Sequence, residues 1–356
     1  GAAVIDGRDR LVMPGLVNAH AHLELTALEG LNYRGDFVDW IREVLKAKQG
    51  LEPQGQDLAM HEGILRTLRG GTTTIGDHLS PGSNPESLLL SPLRGRIFVE
   101  VLGVVPEVAA DMYRAAKVLR EECRSTPSRF EVIPSPHSVH ALAPEILRKV
   151  LKEPASVHSI HLAESEPERR YFAEASGTMH DLIASRGEAI VRSAPSPILE
   201  LEAEGLLDGR ILAIHGNYLE QAEIRLMAER GIGVVHCPFS HAYFEHRDFP
   251  MKDYRTAGVN VALGTDSLAS AKTLSMLEVL RETSRKFPGL DRGEIFAMAT
   301  EGGAKALKMG ASIGSLEAGK KADLIAVSQT GSAEESLFRA DRVCFSMIDG
   351  EILTGF

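Results

Sequence analysis

The chain has few of the features that would place it in several large classes. Its 356 residues include three cysteines, Cys123, Cys237 and Cys344. These are widely scattered, which suits a reducing compartment and makes no disulfide framework. No run of Lys or Arg exceeds two residues and the formal net charge is −10, so a nucleic-acid-binding surface is not expected. No segment reaches the roughly 18 apolar residues that span a bilayer, and the first residues lack a signal-peptide pattern. Internal repeats and low-complexity tracts are missing as well. A cytoplasmic location is the expectation. What is present is a globular composition, 44% hydrophobic, enough for a large core and at odds with disorder.

Short β-rich runs bounded by Gly, Pro or polar residues recur along the chain. They cover residues 15–22, 72–78, 96–104, 130–137, 156–164, 211–216, 231–237 and 260–267. Several are continuously apolar, as strands buried on both faces should be. Helical patterns fall between them, at 36–48, 56–69 (with Gly70 as the C′ residue), 107–123, 144–151, 168–186, 219–230 and 274–286. Eight such alternations predict an α/β fold, a (β/α)₈ TIM barrel. A doubly wound sheet is the alternative, but the first strand is not followed by a glycine-rich dinucleotide loop. After a helix near 294–309, short strands at 322–327 and 343–348 precede Gly350-Glu351-Ile352-Leu353. With Val4-Ile5-Asp6 and Leu11-Val12 they suggest a small β-sandwich-like accessory domain built from both termini. The expected division is 1–13 and 313–356 for that domain and 14–312 for the barrel.

Barrels of this kind carry chemistry at the C-terminal ends of their strands. Strand one ends in His20 and His22, which two-residue periodicity turns to the same face. Strand four ends in His137, strand five in His161 with Glu164 just behind, and strand six in His215. Strand seven ends in His236-Cys237-Pro238 and strand eight in Asp266. Neutral imidazoles with a carboxylate suit Zn²⁺ or Fe²⁺. Such an ion lowers the pKa of a bound water from about 15.7 to about 7. Glu164, three residues after His161, must lie past the strand end to reach back, where it can shuttle protons. His215 is supported by its strand-end position alone.

These segments resemble the amidohydrolase superfamily, in particular its cytosine/guanine deaminase and chlorohydrolase-like branch. The resemblance lies in Pro14-Gly15-Leu16-Val17-Asn18-Ala19-His20-Ala21-His22-Leu23-Glu24, His161-Leu162-Ala163-Glu164-Ser165 and His215-Gly216-Asn217. It continues through His236-Cys237-Pro238, Gly264-Thr265-Asp266-Ser267 and the tail from Gly314 to Leu324. It covers nearly the whole chain, in order. The resemblance implies His20, His22, His161 and Asp266 as metal ligands, His215 as the residue that holds a water, and Glu164 as the proton shuttle. Asp266 thus serves both as ligand and in catalysis. Two departures stand out. Only 13 residues precede Pro14, so the accessory domain looks incomplete or trimmed. Residues 130–142 contain no lysine, the bridging residue of binuclear relatives, and His137 stands there instead. One divalent ion per chain follows, Zn²⁺ first, Fe²⁺ or Mn²⁺ next.

The function implied is metal-dependent removal of ammonia from an amino-heterocycle, with a lean towards adenosine-type nucleosides such as aminodeoxyfutalosine, S-adenosylhomocysteine or methylthioadenosine. Hydrolysis of a cyclic amide or a carbon–halogen bond is the rival reading. A non-catalytic scaffold barrel would be expected to have lost its ligands, and here every ligand position is filled. A small molecule is the expected partner, with neither nucleic acid nor membrane, and a homo-oligomer is compatible with the sequence. For substrate contacts, the segment 239–244 reads as a specificity loop and includes His241 and Tyr243. Glu24 would share the face of His22 if the strand persisted, and Trp40 is either a pocket aromatic or a packing anchor. His137 either lines the pocket or satisfies core hydrogen bonds, and His140 reads as a pocket or loop residue. His78 and His236 end strands and can reach the pocket. His158 reads as a packing histidine, and His61, His180 and His246 as surface residues.

Overall fold

A computed structural model describes residues 5–33, 35–187 and 192–353. Its strands run in chain order as β1 (Arg10–Pro14), β2 (Leu16–Ala21), β3 (Thr72–Leu79), β4 (Arg94–Val101), β5 (Phe130–Pro136) and β6 (His158–Leu162). They continue as β7 (Ile211–His215), β8 (Gly233–His236), β9 (Val261–Leu263), β10 (Leu324–Ser328), β11 (Phe345–Ile348) and β12 (Glu351–Leu353). Strands β2 to β9 are the eight expected from sequence. They are rich in Val, Ile and Thr, and β2, β3, β7 and β8 are buried throughout, because helices cover the outer face and side chains fill the interior. The architecture is a (β/α)₈ barrel.

The barrel forms two parallel halves, β2-β3-β4-β5 and β6-β7-β8-β9, and its two seams coincide with the predicted chemistry. At one seam the His161 N–H donates to the His137 carbonyl at 2.9 Å, and a lone bridge joins Ser138 to His161. At the other, the Thr265 and Asp266 N–H groups both donate to the His20 carbonyl at 3.1 Å. The Asn18 amide clamps Thr265 from both sides there, at 2.8 and 3.1 Å. Hydrogen bonds of this kind contribute about 1 kcal/mol each, and here they fix strand ends where the regular ladder stops.

Several expected elements differ in detail. The helix expected at 168–186 is two helices, Glu166–Glu174 and Thr178–Ala184, broken where Ala175 and Gly177 take left-handed φ values of 48° and 91°. The helix expected at 294–309 divides into Arg292–Met298 and Glu301–Ala306, where the Thr300 hydroxyl caps the Phe296 carbonyl at 2.8 Å. Gly70 does not supply the positive φ expected of a C′ residue; Gly71 does, at 90°. Gly70 is needed for close approach instead, since a Cβ there would lie 2.4 Å from the Ser275 Cα. The loop expected at 239–244 is mostly a short helix, Pro238–Tyr243, begun by a proline at its first turn. Short capped helices at Pro197–Ala203 and Ala333–Arg339 escaped the periodicity reading.

Outside the barrel, β1, β10, β11 and β12 form an antiparallel sheet in that order. Of the two N-terminal strand candidates, Leu11-Val12 lies in β1. Val4 is outside the described residues, and Ile5-Asp6 is not strand because the Asp6 carboxylate turns the chain by accepting the Arg8 N–H at 3.0 Å. Among the described residues, no helix is long and apolar enough to cross a membrane.

Candidate active site

The strand ends converge because their backbones are bent at chosen residues. His20 lies in β2 and His22 just beyond it, starting a turn of 3₁₀-helix (Leu23–Leu28). The Asp77 carboxylate secures that turn by accepting the Leu23 N–H at 2.9 Å. Ala163, His215 and Asp266 have left-handed φ values of 50°, 71° and 61°, a costly conformation for residues with a Cβ. Each follows or ends a barrel strand, and the reversal breaks the in–out alternation. Glu164 thereby comes round beside His215, with its Oε1 3.4 Å from His215 Nε2. The Glu164 backbone is held on both sides: its N–H donates to Glu168 at 2.7 Å and its carbonyl accepts from Asn217 at 3.0 Å.

Among the described residues, donor atoms gather in three overlapping groups, each within 4.8 Å: His20–His161–His215, His20–His22–Asp266 and His22–Glu100–His161. His22 Nε2 faces His161 Nε2 at 3.3 Å, and His20 Nε2 lies 3.6 Å from Asp266 Oδ1. The His161 Nδ1–H donates to the His137 carbonyl at 3.0 Å, so its Nε2 bears a lone pair. Among the described residues, His20 Nε2 and His22 Nδ1 are buried without a hydrogen-bond partner. The His161 lone pair aimed at His22 Nε2, and the unpartnered His20 Nε2 beside Asp266, are what a bound cation relieves.

The electrostatics suit the same guest. Burial pushes His22, His161 and His215 below the ordinary histidine range, so they are neutral, the form that ligates. Burial alone would raise the Asp266 carboxyl, but the close approach of His20 and the nearby His215 and His22 hold it below the usual carboxylate range. The Ser267 N–H and the Ser270 hydroxyl also donate to it, at 2.8 and 3.1 Å. Neutral imidazoles with an ionised carboxylate fit a divalent metal ion. Glu164 behaves in the opposite way. Burial, aided by the charges of Asp266, Glu168 and Glu100, raises its carboxyl well above the ordinary value, as suits a group that must hold and release a proton near neutrality.

The other candidate residues are placed less uniformly. His137 is a third exposed and its Nδ1 is 2.8 Å from Glu100. His140 Nδ1 is turned to Glu168 at 3.4 Å. Glu24 is buried and takes the Lys48 ammonium at 2.8 Å on one oxygen, while the other has no partner among the described residues. Trp40 anchors through its indole N–H to the Ala269 carbonyl at 3.3 Å, Tyr243 through its hydroxyl to the Leu31 carbonyl, and His241 Nε2 to the Arg247 carbonyl at 2.9 Å. These polar atoms are thus committed to backbone carbonyls. His246 is not a surface residue. It is half-buried, with its ring 5.5 Å from Phe244 and 6.2 Å from Phe37, and its buried Nε2 has no partner among the described residues.

Sequence reasoning passed over Glu100, Asp77 and Lys48. Glu100 is the penultimate residue of β4, and its lone carboxylate in Ile97-Phe98-Val99-Glu100-Val101 was the available signal. Burial would raise its carboxyl, but His137 outweighs burial and brings it down to about 2. No signal short of the fold marks Lys48, which reaches Glu24 from the helix Phe37–Gln49.

A β-barrel of this order with this donor cluster defines a metal-hydrolase class, and comparison with known proteins narrows it. Residues 11–353 match the amidohydrolase family, and the chain belongs to that family. It is 30% identical over 336 residues to a 5-methylthioadenosine/S-adenosylhomocysteine deaminase of Moorella thermoacetica, covering 91% of this chain and 74% of the relative. A 5′-deoxyadenosine deaminase of Methanosphaera stadtmanae is 28% identical, with 91% and 75% covered. Among solved structures, a zinc-bound adenosine deaminase of Xanthomonas campestris superposes with a TM-score of 0.79 at 26% identity, over 97% of this chain and 80% of that one. Helicobacter pylori aminofutalosine deaminase, solved with methylthio-coformycin, superposes with a TM-score of 0.83 over 97% and 87% of the chains; at 20% identity it speaks for the fold.

Proposed function

We propose that this chain is a metal-dependent aminohydrolase that replaces the exocyclic amine of an adenosine-type substrate by oxygen, releasing ammonia. The observation that supports the reading is the set of overlapping donor groups His20–His161–His215 and His20–His22–Asp266, which share His20, with Glu164 beside His215. The relatives named for deamination of adenosine derivatives supply the substrate class. His20, His22, His161 and Asp266 would hold one divalent ion, Zn²⁺ in this reading, within a barrel spanning 14–312. Residues 1–13 and 313–356 would contribute the accessory sheet.

The ion, when bound, supplies Lewis acidity and an acidified water. The chain's own residues do the rest. Glu164 moves the two protons of the attacking water in turn, one to the adjacent ring nitrogen and one to the departing amine, so that the amine-bearing carbon becomes a carbonyl and ammonia leaves. His215, whose Nε2 lies 3.4 Å from Glu164 Oε1, would hold the incoming oxygen in line. Asp266, ionised and clamped by Ser267 and Ser270, keeps negative charge beside the attack. His137, backed by Glu100, presents its Nε2 edge to the heterocycle. Glu24 offers its free oxygen to a substrate donor group, and the aromatic wall of Trp40, Tyr243 and Phe244 shapes the mouth. His140 and His241 line it further out.

The test is ammonia release by Zn²⁺-loaded protein from methylthioadenosine, S-adenosylhomocysteine, 5′-deoxyadenosine and adenosine, with elemental analysis of the same sample. Turnover of at least one of them with one ion per chain is expected. Inert adenosine derivatives, alongside chloride release or cyclic-amide opening, would overturn the substrate class.

A further inference from the structure

His20 differs from the other proposed ligands in what lies behind it. His161 is backed by a carbonyl, which can only accept, so its tautomer is settled. His20 Nδ1 instead faces a second imidazole, His78 Nδ1, at 3.0 Å. His78 lies next to the end of β3, is 1% exposed, packs at a tilt of 32° beside Phe98 with ring centroids 4.9 Å apart, and sends its Nε2 to the Ser159 hydroxyl at 2.7 Å. Ser159 is itself fixed at the barrel seam, where its N–H donates to the Ser135 hydroxyl at 2.9 Å. A hydrogen bond between two imidazole nitrogens carries one proton, and the geometry permits it on either side. If it sits on His78, then His20 bears its own proton on Nε2 and has no lone pair to offer. If it sits on His20 Nδ1, His20 Nε2 is free for a metal, and the remaining His78 proton must be on Nε2, donated to Ser159.

We propose that His78 and Ser159 are positioning residues that fix His20 as its Nδ1–H tautomer and so hold its Nε2 lone pair at the metal site. The proposal rests on His20 being a ligand. It explains why a polar ring is buried in the barrel interior with both nitrogens engaged, where an apolar side chain would otherwise pack. It also makes ligand order directional: the proton sequence runs from His20 to His78 to Ser159, and each member accepts from the one before. Outer partners of metal-bound histidines are typically worth 10–100-fold in metal affinity.

The experiment measures Zn²⁺ affinity by chelator competition for wild type, His20→Ala, His78→Phe, His78→Asn and Ser159→Ala, with two-bond ¹H–¹⁵N imidazole spectra of the Zn²⁺-loaded wild type. His78→Phe keeps the packing on Phe98 but cannot accept, and should bind about 10–100-fold more weakly. His78→Asn puts a carbonyl oxygen where Nδ1 was, and should recover most of that loss. The spectra should show the His78 proton on Nε2. If His78→Phe does not fold, Ser159→Ala decides: a several-fold loss of affinity supports the relay and an unchanged affinity overturns it. Wild-type affinity in His78→Phe, equal losses in the Phe and Asn variants, or a His78 proton on Nδ1 would each overturn the relay alone. A wild type that takes up no Zn²⁺, or His20→Ala that binds it normally, would overturn the metal-site reading as well.

Discussion

Replacing Glu164 by glutamine removes one proton-exchanging group while leaving its surroundings almost intact. The Glu164 backbone is pinned by Glu168 at 2.7 Å and by Asn217 at 3.0 Å, and neither bond involves the side chain. The amide retains the size of the carboxyl and can still meet His215, which the carboxyl approaches to 3.4 Å. Metal content should therefore match the wild type. What disappears is the transfer from water to leaving nitrogen, normally worth about 10²–10⁴ in rate, or roughly 3–5 kcal/mol of transition-state stabilisation. Steady-state ammonia release should show kcat and kcat/KM falling together. A second consequence has the opposite sign. Burial and neighbouring carboxylates raise the Glu164 carboxyl well above 4.5, so the folded protein keeps a proton that the unfolded chain gives up. Stability then declines as pH rises from the ordinary carboxylate value towards the raised one. Glutamine has no such slope, so metal-free Glu164→Gln should melt higher than wild type near pH 7, with the gap closing towards pH 4. A variant with kcat within about threefold of wild type at full metal content would refute the shuttle assignment.

His161→Ala removes a donor from two of the three groups around the site, so metal content by elemental analysis and activity should be lost together; a metal-replete but slow variant would count against the ligand assignment. Glu100→Gln removes the anion that His137 leans on at 2.8 Å. Because the Glu100 carboxyl drops from 4.5 to about 2 on folding, the pair contributes up to roughly 3 kcal/mol above pH 4.5. That contribution is lost as pH falls from 4.5 towards 2. Denaturant titration of metal-free protein across that range should show a shallower acid limb in the variant; parallel curves would mean that the pair contributes nothing.

The sequence was most legible where chemistry and periodicity coincide. His20 and His22 announce themselves by spacing, and His137, His161, His215 and Asp266 by standing where an apolar run stops. Each of those readings needs only two-residue periodicity and the rule that barrel strands work at their C-terminal ends. It was least legible where a role depends on a partner far away in the chain. His78 is 58 residues from His20 and 81 from Ser159, and Glu100 is 37 from His137. No local pattern encodes such pairings, because they exist only once the barrel closes. His246 was misread for a related reason: a polar residue in an irregular stretch looks solvated until Phe37 and Phe244 are known to pack against it. The seams show how closure and chemistry are joined. The His137 carbonyl that receives the His161 backbone N–H also receives the His161 ring N–H. The His20 carbonyl that receives Thr265 and Asp266 brings the Asp266 carboxylate to His20 Nε2. The backbone bonds that replace the missing ladder at each seam therefore set the spacing of the donors, and a substitution that loosens a seam, such as one at Asn18, would disturb the site before it disturbed the fold.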